Sequence, residues 1–181
     1  MAVAVSIQFD AAAARKALAG AQVKIQAAIA QGINEGGDKV RTQVRRAMRE
    51  QTSLKRLNSV TSRQRTIRAF PGSLAYSIVF TGKPTKPEEF ALKVTKGPGG
   101  GVAVTMWGGE HKFKRSFQIA GASGAFGLRA RMGRDRLPIR SFDGPNLAKE
   151  AAKGQVLETF ESLALTVVSP MIEKRLARLI F

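Results

Sequence analysis

The sequence predicts an α+β protein with a long N-terminal helix, a central antiparallel sheet of about six strands, and a C-terminal helix. Three observations carry that expectation. Apolar residues recur with helical steps at both ends of the chain, the period falls to two from Arg65 to Phe142, and Gly, Pro and Asp clusters cut that middle stretch into short segments. At 181 residues the chain fits one domain. It divides into a helical arm with a basic segment (1–64), a sheet region (65–145) and C-terminal helices (146–181).

Asp10 precedes an alanine-rich run and is placed to cap the first helix. Leu18, Ile25, Ile29, Ile33, Val40, Val44 and Met48 then trace one helical face. Gly32, Gly36 and Gly37 interrupt it, each costing ~1 kcal/mol relative to Ala. Either the helix breaks in "NEGGD", with Asp38 capping a second one, or the glycines admit a close neighbour. The reading adopted is one long helix, weakened there. Thr52 to Arg65 holds a short helix that frays into a basic linker.

From Arg65 onward, "TIRAF", the turn Pro71-Gly72-Ser73 and "LAYSIVF" read as a hairpin. "FALKVTK" and "VAVTMW" flank the glycine-rich tip Gly97–Gly101 as a second one. "KFKRSFQI", "AFGLRAR" and "RLPIRSF" are further strands, separated by "AGASG" and "MGRD". Helix returns at Leu147, with Ala151, Leu157, Phe160, Ala164 and Val167 near one stripe and Ile172, Leu176 and Leu179 continuing it. Ser169-Pro170 pairs a capping residue with a first-turn proline, so a break or kink is expected there.

Charge is the strongest compositional signal. The chain has 30 Lys and Arg against 13 Asp and Glu, a net charge of +17. Two blocks hold nearly all of it: residues 39–68 at +9 and residues 112–140 at +7, between neutral ends. Such blocks repel themselves and attract an anionic partner. A membrane surface is the weakest candidate, because the blocks lack an aromatic-rich apolar face to insert. The longest apolar run, Leu163 to Val168, falls far short of the ~20 residues of a membrane span. With no signal-peptide pattern at the start, the reading is a soluble chain. There are no cysteines, so disulfides and thiolate metal sites are excluded.

Catalytic motifs are sparse. His111 is the one histidine, beside Glu110 and without a Gly-x-Ser-x-Gly elbow, and reads as surface decoration. Glu88-Glu89 reads as a solvated loop, and Asp135 as a local ion-pair partner of its flanking arginines. "GPGGG" and "TGKPT" lack the Gly-Lys-Ser/Thr ending of a phosphate loop and read as turns. No cofactor is called for. The basic residues offer more. Arg41, Arg45 and Arg49 stripe one helix face, with Arg56 and Arg63 following, a pattern able to track phosphates. Phe113 and Phe117 alternate with Lys112, Lys114 and Arg115, which places the rings toward the core and the bases toward water.

"FGLRARMGRDRLPIRSFDGPNLAKE" resembles the late region of the phage minor tail protein Z family, the neck or tail-completion proteins of long-tailed phages. Gly133, Arg134, Arg136, Leu137, Pro138, Ile139, Gly144 and Pro145 fill that family's basic-strand, Leu-Pro-Ile and Gly-Pro places. "AIAQGINEGGDKVRTQVRRAMREQTSLKRLNSV" and "LAYSIVFTGKPTKPEEFALK" are similar to its N-terminal helix and to its strand with a proline loop. The match runs in order over roughly residues 27–150 and departs in the "AGASGAFG" stretch and the N-terminal alanine segment.

The resemblance implies a non-enzymatic virion protein, made in the host cytoplasm and placed at the head-proximal end of a tail. It implies a hexameric ring contacting a tail terminator and a head-side connector or stopper, with non-specific contact to packaged DNA. Contact residues would be Arg41, Arg45, Arg49, Arg56, Arg63, Arg131, Arg134 and Arg136. The Leu137-Pro138 turn and Gly144-Pro145 would fix how the basic strand meets the C-terminal helix. The alternative is a stand-alone nucleic-acid-binding protein.

Overall fold

A computed structural model describes residues 11–95, 101–133 without 121–125, and 135–180. Two long helices form its spine. The first, α1 (Ala11–Thr52), runs unbroken through the glycines, and the last, α4 (Gly154–Ile180), packs along it. Gly32 and Gly36 lie one helical turn apart on α1 and face Ile172 and Val168, also one turn apart on α4. A methyl group added at Gly32 would sit 2.6 Å from the Ile172 Cα, and one at Gly36 2.7 Å from the Val168 Cα. The glycines therefore lower local helix propensity and in return let two backbones meet. Of the two alternatives set by the sequence, a break in "NEGGD" or a close neighbour, the second holds, within one continuous helix. Asp10 and the Leu18 side chain lie outside the described residues.

The helical stripe is buried where it was expected in the second half of α1: Val40, Val44 and Met48 enter the core, while Ile25 stays exposed. Past a tight turn at Ser53, α2 (Leu57–Thr61) contributes Val60 to the same core. On the other side the core is closed by Phe90, Val102, Val104, Met106, Leu128, Leu147 and Val156.

The strands form three small antiparallel sheets in place of the single sheet expected. β1 (Gln64–Ile67) pairs with β2 (Ser77–Phe80); β3 (Ala91–Thr95), β4 (Gly101–Met106) and β5 (Gly109–Lys114) form a meander; β6 (Ser116–Ala120), β7 (Phe126–Arg131) and β8 (Ile139–Ser141) form another. The stretch "KFKRSFQI" is the point of division. Arg115 adopts φ +57°, which ends β5 and starts β6 in a different sheet. Ser116 bridges the gap, its hydroxyl accepting from the Val102 N–H at 2.9 Å while donating to the Phe113 carbonyl.

Two expectations for the C-terminal region are corrected. α3 (Leu147–Ala151) ends early, and the break falls at Ala152 to Gly154, with Gly154 at φ +59°. Pro170 does not begin a helix; it lies inside α4. Its side chain is exposed, while Val168 and Ile172 on either side of it pack onto the α1 glycines. Losing one main-chain hydrogen bond on the solvent side is offset by that packing. Among the described residues, no helix is long and apolar enough to cross a membrane.

Candidate interaction surface

Three arginines of the first basic block, Arg41, Arg45 and Arg63, turn inward. β1 lies against α1 so that Gln64 and Thr66 face the helix, and Arg45 donates to the Gln64 side chain while Arg41 reaches the Thr66 hydroxyl at 3.4 Å. Arg41 also pairs with Asp38 at 3.1 Å. Burial, reinforced by the neighbouring Arg41 charge, pulls the Arg45 pKa below its ordinary value. Asp38 is shared further: it accepts from Tyr76 at 2.8 Å and from Arg68 at 2.6 Å. Burial and the bond to the Asp38 carboxylate push the Tyr76 hydroxyl up to about 12.

Arg63 is fully committed within the chain. It grips Glu89 with two hydrogen bonds, at 2.8 and 2.6 Å, and the Ser59 carbonyl with a third at 2.9 Å. Glu88 is equally structural, its carboxylate accepting the Leu128 N–H at 2.6 Å and so tying the loop to β7. The solvated-loop reading of Glu88-Glu89 is thus overturned. Of the arginine stripe only Arg49 is exposed; the block's other exposed bases are Lys39, Arg46, Lys55, Arg56, Arg65 and Arg68.

The second block faces outward. In the meander, Lys93 and Lys112 are register partners on either side of Ala103, and Lys114 follows on the same face. Ala103 is 4% exposed although it lies on this outer face, as expected if lysine stems cover it and send their ammonium groups to water. The inner face carries Val102, Val104, Met106 and half-buried Phe113, in line with the period-two expectation. In the neighbouring sheet the expectation fails: Phe117 shares the outer face with Arg129 and Arg131 and does not point to the core, because the break at Arg115 resets the alternation, while Ser116, Leu128 and Ala130 are buried on the inner face. The Arg131 guanidinium stands over the Phe117 ring at 5.6 Å, a cation–π contact that steadies the base without neutralising it.

β7 leads into the stretch singled out by sequence. Arg131 pairs with Ile139, and the Met132 N–H donates to the Pro138 carbonyl at 3.1 Å, closing a corner in which the Leu137-Pro138 peptide bond is cis. Arg136, Leu137, Ile139 and Arg140 are exposed on that corner, and Arg140 stacks on Phe142 at 5.1 Å. Arg134 lies outside the described residues; Asp135 and its other flanking arginine, Arg136, are described and form no ion pair with each other.

The corner is held to the body by Gly144-Pro145. The Gly144 N–H donates to the Thr85 carbonyl at 2.7 Å, and the Thr85 N–H and hydroxyl return bonds of 3.0 and 2.9 Å to the Pro145 carbonyl. Asn146 then caps α3 through its side chain and holds the Gly82 carbonyl at 2.8 Å. The proline loop and the Gly-Pro turn, far apart in sequence, thus form one joint. This joint was visible in sequence only as two separate turns.

His111 is exposed, its Nε2 lying 3.2 Å from the Met106 carbonyl oxygen and its ring edge-on to Trp107. Among the described residues, no group of three or more His, Asp or Glu side chains is placed to hold a metal ion. The largely apolar groove is a different feature, missed by sequence. Ile33, Val40, Tyr76, Ile78, Phe160 and Leu165 are among its lining residues, where α1, α4 and the β1–β2 hairpin meet around a space of about 360 Å³. Comparison of the chain with family models, with curated proteins and with solved structures gives no match.

Proposed function

We propose that this chain is a structural subunit of a phage tail neck, a tail-completion protein that works as a hexameric ring between a tail terminator and a head-side connector. The observation that carries the proposal is the exposed corner formed by Arg131, Met132, Arg136, Leu137, Ile139 and Arg140, where bases and apolar residues mix on a backbone anchored at the Thr85/Gly144-Pro145 joint. A surface that mixes uncovered Met132, Leu137 and Ile139 with arginines suits a protein partner. The rest of the surface agrees. The strands are split among three small sheets, and Leu165, Phe70 and Val94 are all more than half exposed. Subunits of an assembly can leave such features to be covered by neighbours.

Quantitative mass spectrometry of purified virions from the phage that encodes the chain tests this reading. A copy number equal to that of the tail terminator is the expected result. Complete absence from particles, with abundant protein in the lysate, would remove it.

The second reading, direct binding of nucleic acid, draws on the lysine row of Lys93, Lys112 and Lys114 on one sheet and on Arg129 and Arg131 on the outer face of another. Such a row can follow a phosphate backbone. Retention on duplex DNA should then fall steeply with salt, and reversing these lysines should flatten the slope. A chain that ignores DNA at low salt would exclude it.

A further inference from the structure

Helix α4 is anomalous in so basic a chain. Residues 154–173 contain Glu158, Glu161 and Glu173 and no lysine or arginine. All three carboxylates are exposed, and none has an ion-pair partner among the described residues. Glu158, Glu161 and Leu165 fall at i, i+3 and i+7 on one helical face, and Leu165 is 75% exposed. Leu165 also rims the groove between α1, α4 and the β1–β2 hairpin. An acidic helix face with an apolar ridge and a mainly apolar groove beside it is therefore left uncovered.

The corner at the end of β7 is its complement in charge and similar in apolar character. Arg131, Arg136 and Arg140 are exposed there without an ion-pair partner among the described residues, and Leu137 and Met132 are 67% and 65% exposed. Either surface alone would be an unusual feature of a free monomer. Both are carried by the same chain, and each supplies what the other lacks.

We infer that the acidic face of α4 docks the basic Leu137–Ile139 corner of a second copy of this chain. The inference rests on the ring-subunit reading above and specifies the contact that would build the ring. Because two different surfaces meet, a pair joined by one such contact keeps one free surface of each kind, the corner on one copy and the α4 face on the other. Repetition through the free surfaces then gives a closed ring or an open filament. Leu165 and Leu137 supply apolar burial, and the opposed charges set orientation and speed of association.

The test uses two full-length variants, Glu158→Lys/Glu161→Lys and Arg136→Glu/Arg140→Glu, examined by sedimentation velocity at about 50 mM salt, where surface charges are weakly screened. All four side chains are exposed, so circular dichroism should show both variants folded as the wild type is. Each variant alone carries like charges on both surfaces and should associate at least about tenfold more weakly. Mixed one to one, every contact becomes complementary again, and assembly should return as an alternating oligomer. Wild-type-like association of either variant alone would overturn the inference, as would a mixture that stays monomeric or a wild type that never self-associates. The neck reading fails separately, by absence from virions, and its failure would leave a solution contact measurable.

Discussion

Arg63 and Glu89 form a two-pronged pair whose side chains keep only 19% and 18% of their surface exposed. Burial raises the Glu89 pKa, but the hydrogen bonds from Arg63 and from the Lys86 N–H outweigh it, so the carboxyl lies below its ordinary 4.5. A depressed folded-state pKa means the pair's contribution is complete above the unfolded value and is lost as pH falls through the folded one. Glu89→Gln keeps the shape, loses the charge and leaves Arg63 half-buried without its partner. It should cost about 2 kcal/mol at pH 7. In urea melts the gap between wild type and variant should narrow as pH falls below the unfolded value and through the folded one; a gap that stays constant throughout the acid range would show that charge is not its source. Gly144 gives a second residue-scale expectation. A methyl group there would lie 2.6 Å from the Thr85 hydroxyl and 2.9 Å from the Phe90 ring, both buried. Gly144→Ala should therefore destabilise by about 1–3 kcal/mol, read as a lower urea midpoint.

At the scale of elements, the glycines of α1 set helix propensity against packing, and the sign of a substitution decides which wins. Gly20 has nothing within 4 Å of where a Cβ would be, so Gly20→Ala should stabilise by up to ~1 kcal/mol. Gly36→Ala gains the same propensity but drives a methyl group to 2.7 Å from the Val168 Cα, backbone that no rotamer change can move away. It should destabilise by about 2 kcal/mol or more. Opposite shifts in thermal midpoint would support the close-approach account; two stabilised variants would refute it. These glycines also mark how far the elements were legible. Helical period gave the buried Val40, Val44 and Met48, and the three glycines stood out as a weak point or a contact. Pro170 misled, because its start-of-helix signal is local, whereas the packing that carries α4 through it comes from α1, more than a hundred residues earlier. The split of the sheet was equally illegible: an arginine at positive φ carries no compositional mark, and Ser116 acts only once Val102 is beside it.

The whole molecule is organised by contacts between distant parts of the chain. α1 and α4 stand at opposite ends of the sequence and form the spine, and Gln51 binds both the Glu150 carbonyl and carboxylate at 3.1 Å and the Val156 N–H at 3.0 Å. The meander is tied to the same place, since the Gly108 N–H donates to the Ser53 hydroxyl at 2.8 Å and the Trp107 N–H reaches the Thr52 carbonyl at 3.4 Å. One cluster holds residues from both helices and from two of the sheets, with Ile78 and Phe80 of the third packed on it. Of the candidate surface, the two basic blocks were legible because charge is a property of composition; which bases face outward was not, since Arg41, Arg45 and Arg63 find internal partners only through the fold. Shared core and long sequence separation together imply that helices and sheets unfold as one unit. Trp107, the one tryptophan, sits on the β4–β5 turn beside the end of α1 and reports that junction. Its fluorescence and the far-ultraviolet helix signal should therefore trace the same urea transition, with one midpoint and one slope. A tryptophan transition that clearly precedes helix loss would mean that the meander detaches while the spine persists, and that the core is less cooperative than its contacts imply.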